Sequence, residues 1–165
     1  MSKINKTPDF LGMAEVLKRK LQKDAEIQGM DFIHQNFYDQ GWHGSTFEAW
    51  EPRKHPLQYL LLIISNSMFN SIGVESSSLE QVVFTAESPY AAVHNEGLSV
   101  NATARVEKYI NRNFMGKGKS VEIKAHLRRI NYKMTKRQFM GESDMFDKQW
   151  NDHVSNEIIT RFKQL

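Results

Sequence analysis

At 165 residues, with 40% hydrophobic, 11% aromatic and 25% charged side chains, the chain has the length and composition of one folded unit, and disordered and fibrous classes are excluded. It has no cysteine, which removes disulfides, thiolate metal sites and cysteine nucleophiles together. The net charge of +3 is unevenly spread: residues 101–137 carry 11 Lys+Arg against 2 Asp+Glu, a balance of +9, whereas residues 1–100 sum to −4 and residues 138–165 to −2.

The stretch Met1 to Phe10 lacks an apolar signal core, and the longest purely apolar run, Leu60 to Ile64, falls far short of the about 20 residues that cross a bilayer. The expectation is a protein neither exported by the usual route nor inserted in membrane. After Thr7-Pro8-Asp9, the residues Phe10, Ala14, Leu17, Leu21, Ala25, Phe32 and Phe37 recur mainly at three or four positions and predict one long amphipathic helix. Gly29 marks a candidate kink, and Lys18, Arg19, Lys20 and Lys23 belong to a solvated outer face. Gly41 to Pro56 reads as an irregular loop anchored by Trp42 and Trp50. Leu57, Leu60, Leu61, Ile64 and Met68 predict a second, well buried helix, with Pro56 in its first turn.

From Ile72 the pattern becomes extended: Gly73 to Glu75 and Glu80 to Ala86 predict two short strands joined across Ser76 to Ser78. Ser88-Pro89 predicts a capped helical turn ending near Gly97. Val121, Ile123, Ala125 and Leu127 then alternate strictly with polar residues, and Ala102, Ala104, Val106 and Ile110 alternate in the same sense ahead of them. With Met115 to Lys119 as the turn, residues 100–131 form a two-stranded arm; a helix from Val106 to Phe114 is the competing reading of its first half. Ser143 to Leu165, with Met145, Phe146, Trp150, Val154, Ile158, Ile159 and Phe162 at helical spacing, predicts a terminal amphipathic helix that closes the core. The expected fold is α+β, a single domain over 1–165: long N-terminal helix, small antiparallel sheet, protruding basic hairpin and C-terminal helix.

Catalytic and cofactor patterns are weak. Gly118-Lys119-Ser120 lacks the earlier glycine of a phosphate-cradling loop, since Asn113 stands there, and it leads into a strand. The six histidines show no metal-ligand spacing, and His94-Asn95-Glu96 has no nucleophile elbow beside it, so a satisfied structural histidine is the expectation. Asn101-Ala102-Thr103 matches a glycosylation acceptor that no secretory signal accompanies, and Met134, Met140 and Met145 read as gap-filling core. No enzyme, cofactor or metal is expected.

Four segments in order resemble the tailed-bacteriophage virion morphogenesis family, which includes tail-completion proteins. They are Trp50-Glu51-Pro52; Leu62 to Ile72, similar to L-x-x-[ST]-G-x-L-x-x-S-I; Tyr90 to Gly97, similar to Y-A-x-x-H-x-x-G; and Lys136 to Ser143, similar to P-x-R-x-F-x-G-x-S. Asn66, Met68 and Thr135 stand where the pattern has glycine, leucine and proline. In these motifs Phe139 anchors the core, Arg137 is placed to pair with a neighbour's carboxylate, and Gly141 ends the extended segment before Ser143 caps the final helix. Tyr90 and His94 share one helical face. The resemblance implies assembly into a ring, such as a hexamer, at the virion neck between head and tail, built in the bacterial host cytoplasm. Connector or stopper proteins and the tail tube protein are the implied partners, and Trp50, Tyr90, His94, Gly97, Arg137, Phe139 and Gly141 are the motif residues that carry the likeness.

The basic arm, with Arg105, Lys108, Arg112, Lys117, Lys119, Lys124, Arg128 and Arg129, admits three roles: contact with a subunit or partner, charged protection of strand edges, or sequence-independent contact with DNA phosphates. The leading expectation is a structural head-tail joining component. The alternative is a small nucleic-acid-binding module using residues 101–137.

Overall fold

The structure, a computed structural model, describes residues 9–53, 60–114, 116 and 118–163. Helix α1 (Phe10–Tyr38) opens on Asp9, whose carboxylate accepts the Gly12 N–H at 3.0 Å and satisfies a donor that the first turn leaves free. At 1.5 Å per residue it runs about 43 Å. Only its second half is buried, through Gly29, Ile33, Asn36 and Phe37. The helix passes through Gly29 without a break. Glycine stands there because the Phe84 ring lies against the backbone, its Cζ 2.2 Å from where a Cβ would be.

Asp39 closes α1, and Gln40, in the left-handed region at φ 56°, turns the chain back. The next segment is an ordered hairpin, β1 (Gly41–His43) against β2 (Phe47–Ala49), where an irregular loop was expected. Trp42 and Trp50 are buried as anticipated, while Pro56 lies outside the described residues.

The expected second helix is also corrected. Leu57 lies outside the described residues; residues 60–66 form turns, and only α2 (Ser67–Asn70) is helical. Leu62 (φ 63°) and Asn66 (φ 53°) take left-handed conformations that no continuous helix accommodates. The Gln40 amide grips the Leu61 peptide, accepting its N–H at 2.5 Å and donating to its carbonyl at 3.3 Å. Met68 is buried, but Leu60 and Ile64 are exposed. Asparagine is among the side chains that tolerate such a left-handed turn, which suits Asn66 to its place.

Strands β3 (Ile72–Ser77) and β4 (Val82–Ala86) pair antiparallel with a bulge at Val74/Ser76; the two expected strands are present, but Ser76 and Ser77, expected in their connection, belong to β3, and β4 starts at Val82 and not at Glu80. Ser88-Pro89 precedes rather than caps helix α3 (Ala91–Glu96), whose cap position is Tyr90. Strands β5 (Ser99–Val106), β6 (Tyr109–Phe114), β7 (Lys119–Ile123) and β8 (His126–Lys133) form the arm: β5 pairs β8 and β6 pairs β7. The first half of the arm is therefore strand and not helix; Met115 and Lys117 of its turn lie outside the described residues. Helix α4 (Asp144–Phe162) starts at Ser143, whose hydroxyl accepts the Phe146 N–H at 3.1 Å. The fold is α+β, with its strands in antiparallel pairs.

One core unites these pieces: Ile33, Phe37, Trp50, Met68, Ile72, Ala91 and Phe139. Phe37 sits at its centre, with ring centroids 4.9 Å from Phe139, 5.6 Å from Phe69 and 5.7 Å from Trp50. Helix α4 does not close this core, contrary to expectation, since none of its residues is buried. It lies along α1 instead, Phe146 against Phe32 at 5.0 Å and Phe162 near Phe10 at 6.5 Å.

Two substitutions test this packing by urea denaturation. Phe139→Ala is expected to cost about 3–5 kcal/mol. Gly29→Ala, which would add up to about 1 kcal/mol of helix propensity at an open site, is expected to cost about 1–3 kcal/mol by driving a methyl into Phe84.

Candidate functional site

The two long strands of the arm leave the body side by side. Gly97 ends α3 in the left-handed region (φ 69°), and a Cβ there would meet the Lys136 backbone nitrogen at 3.0 Å, so both conformation and proximity require glycine. From that crossing Leu98 accepts the Met134 N–H at 3.0 Å, and His94 accepts the Arg137 N–H at 2.7 Å. The returning strand then plunges into the core as Arg137 to Gly141. Asn95 Oδ1 accepts the backbone N–H of Phe139 (2.9 Å) and of Met140 (3.0 Å), while its Nδ2 donates to the Met140 carbonyl (3.1 Å). Asn36 Nδ2 donates to the Phe139 carbonyl at 3.2 Å, and Trp50 Nε1 donates to Gln138 at 2.8 Å. Phe139, at 1% exposure, is the anchor it was expected to be. Gly141 (φ 147°) ends the segment, and Ser143 follows as cap.

The structure thus gathers Trp50, His94, Gly97, Arg137, Phe139 and Gly141 at the root of the arm, whereas Tyr90 is 66% exposed beside them. Arg137 does not present itself to a neighbour's carboxylate. It is 7% exposed and donates through Nη2 to the Glu51 carbonyl of its own chain at 3.0 Å. Burial, then the nearby Arg53 charge, lowers its pKa against a smaller opposing pull from Glu51. The expectation of a satisfied His94 is likewise corrected: its buried Nδ1 has no hydrogen-bond partner among the described residues. Burial and then the Arg137 charge hold this imidazole below its usual pKa.

The arm itself packs on little but itself. Arg105 pairs with Glu107 at 3.0 Å and Lys108 with Glu122 at 2.8 Å, so both acidic side chains of the segment are engaged within it. Lys119, Lys124, Arg128 and Arg129 are exposed, as is Arg112; Lys117 lies outside the described residues. The register sets Ala102 opposite Ile130, Ala104 opposite Arg128 and Val106 opposite His126 on one face, and Arg105 opposite Leu127 on the other. The two apolar alternations, expected to run in the same sense, therefore fall on opposite faces, and Leu127 is 71% exposed. Tyr109, Ile110, Val121 and Tyr132 are exposed too. The ribbon has no single apolar face to lay on its own body.

A second assembly joins the helices. Asp24, His153 and Glu157 bring ligand atoms within 4.8 Å of one another, a grouping that a separation of 129 residues between Asp24 and His153 concealed. The Lys20 ammonium, expected on the outer face, reaches Asp24 at 3.2 Å and Glu157 at 2.5 Å. A protein cation thus already fills the place between the carboxylates, and the cluster works as an ionic staple between α1 and α4. Burial pushes the Asp24 pKa up, but hydrogen bonds from His153 and Lys20 outweigh it and leave the pKa below its usual value.

Asn36 and Asn95 went unrecognised in the sequence. The available signal was amide side chains set at the helical spacing of the apolar residues Ile33 and Phe37, and directly after His94. Comparison with known protein families, curated proteins and solved structures finds no match to this chain.

Asn95→Ala is expected to cost about 3 kcal/mol in chemical denaturation, since it removes three hydrogen bonds of about 1 kcal/mol each from the extended segment at Phe139 and Met140. Stability is also expected to fall with acid. Burial holds His34 and His94 below the ordinary value of 6.5, so the unfolded chain binds protons that the folded one resists. Their contribution is complete above that value and is lost as pH falls towards the folded pKa values. Urea midpoints recorded from about pH 7.5 down to about pH 5.5 should decline, and His94→Gln should flatten the decline.

Proposed function

We propose that this chain is a structural subunit of a tailed-phage virion, a tail-completion or head-tail joining component that works by protein-protein assembly. The observation that carries this reading is the ribbon of strands β5 to β8, whose described residues are mostly exposed and which carries apolar side chains on both faces. A two-stranded ladder is marginal in water unless more strands or a packed surface support it. The ribbon therefore calls for a second chain, and a neighbouring copy in a ring supplies one with closed symmetry. The four family-like segments add the location. They meet at the ribbon's root, and the resemblance points to the neck, with connector or stopper proteins on one side and the tail tube on the other.

The nucleic-acid reading rests on the surplus of arginine and lysine left after Glu107 and Glu122 are paired. The distribution of Arg128 and Arg129 on opposite faces favours a ribbon clasped between subunits over one laid along a single phosphate row.

The test replaces residues 101–131 with a short Gly-Ser turn. The shortened protein should keep the denaturation midpoint of the body, because Arg137 to Gly141 remains pinned, but should no longer form rings by electron microscopy. Phage lacking the chain should accumulate unjoined heads and tails. Fully infectious particles would end the proposal, and salt-sensitive duplex DNA binding by the monomer, lost on R128E and R129E, would replace it with the alternative.

A further inference from the structure

A groove of about 300 Å³ opens between the turns of residues 60–66 and helix α3, beside the root of the ribbon. Arg53, His94 and Arg137 line it together with Ser65, Ser88 and Tyr90. Each of these three residues holds one nitrogen, Arg53 Nη1, His94 Nδ1 and Arg137 Nε, that is shielded from solvent and has no hydrogen-bond partner among the described residues. Unmet buried donors are rare, and each costs about 1–3 kcal/mol. The two guanidinium nitrogens are donors, and the imidazole Nδ1 becomes one when it carries the proton, so a single acceptor would answer all three.

The charges agree. Arg53 and Arg137 repel one another, and Arg137 disfavours charge on His94. Glu51 acts on Arg137 from outside the groove, and neither guanidinium is in an ion pair among the described residues. The hydroxyls of Ser65 and Ser88 face backbone N–H groups at 3.4 Å as acceptors, which leaves their hydrogens to donate. Arg137 is 93% buried by its 7% exposure and cannot turn to solvent for relief.

We infer that this groove is a binding site for a phosphate-class oxyanion. Two guanidiniums, an imidazole and hydroxyls outnumber the two oxygens of a carboxylate and match a tetrahedral anion with several acceptors. The apolar wall of Leu61, Leu62 and Met68 leaves room for an organic group carried by that phosphate. The site belongs to the single chain and does not depend on the ribbon's role.

Binding is tested on the full chain with inorganic phosphate as probe, by following the His94 side-chain resonances in NMR titrations. Phosphate should shift them saturably, raise the pH at which His94 titrates, and bind more tightly as pH falls. Arg53→Gln is the informative variant, because Arg53 lies outside the helices and strands and, among the described residues, donates to the Leu60 carbonyl alone, at 3.4 Å. It should weaken phosphate about tenfold or more, whereas Lys148→Gln, an exposed change on α4, should leave affinity unaltered. Unmoved His94 resonances would overturn the site, as would equal losses in the two variants, which signify net-charge attraction alone. Acetate binding as tightly as phosphate would overturn the assignment to phosphate.

Discussion

Phe139 is held from two sides by amide side chains, and the geometry of the whole molecule follows from that grip. Asn95 accepts the N–H groups of Phe139 and Met140 and donates to the Met140 carbonyl, while Asn36 donates to the Phe139 carbonyl. An extended segment crossing a core has no ladder partners of its own, so its peptide groups need side chains to satisfy them. The bonds fix the segment to α1 and α3 at once, and the ring completes a cluster with Phe37 and Trp50. Because the segment is the direct continuation of β8, its anchorage also sets where the ribbon leaves the body.

Body and ribbon obey different energetics. Aromatic burial, at roughly 2–3 kcal/mol for a side chain such as Phe37, supports the body. The ribbon has ladder hydrogen bonds and surface ion pairs such as Arg105–Glu107, and exposed pairs contribute at most about 1 kcal/mol. Its stability in isolation is correspondingly slight, and its exposed Leu127, Ile110 and Tyr109 are the kind of surface that a partner covers. The α1–α4 staple of Lys20, Asp24, His153 and Glu157 stands between these extremes, an ionic contact laid over a thin apolar seam.

Periodicity was a faithful guide where a segment's fate depended on its own residues. The long spacing of α1, the alternation in the arm and the Ser143 cap are local properties, and those elements appear where their patterns lie. It misled where a distant group competed for the backbone. Leu60, Leu61, Ile64 and Met68 have helical spacing, yet Gln40 captures the Leu61 peptide and Asn66 turns left-handed, so the helix shrinks to one turn. Gly29 looked like a breaker because the Phe84 ring that needs its missing side chain is far along the chain. Alternation along each strand of the arm was legible, but the faces were not. The register pairs even-numbered residues with even-numbered ones, and this divides Ala102 and Ala104 from Leu127.

The sequence by itself determined the α+β class, the ribbon, the two long helices and the concentration of positive charge, because these follow from period, capping and composition. The family-like segments supplied the motif residues at the ribbon's root but not their roles. Only the tertiary structure set Arg137 and His94 side by side at one groove, each with a buried nitrogen that lacks a partner among the described residues. Whether a polar side chain is satisfied depends on atoms brought from Glu51, Arg53 and the turns near Ser65, and separation along the chain carries no trace of that meeting.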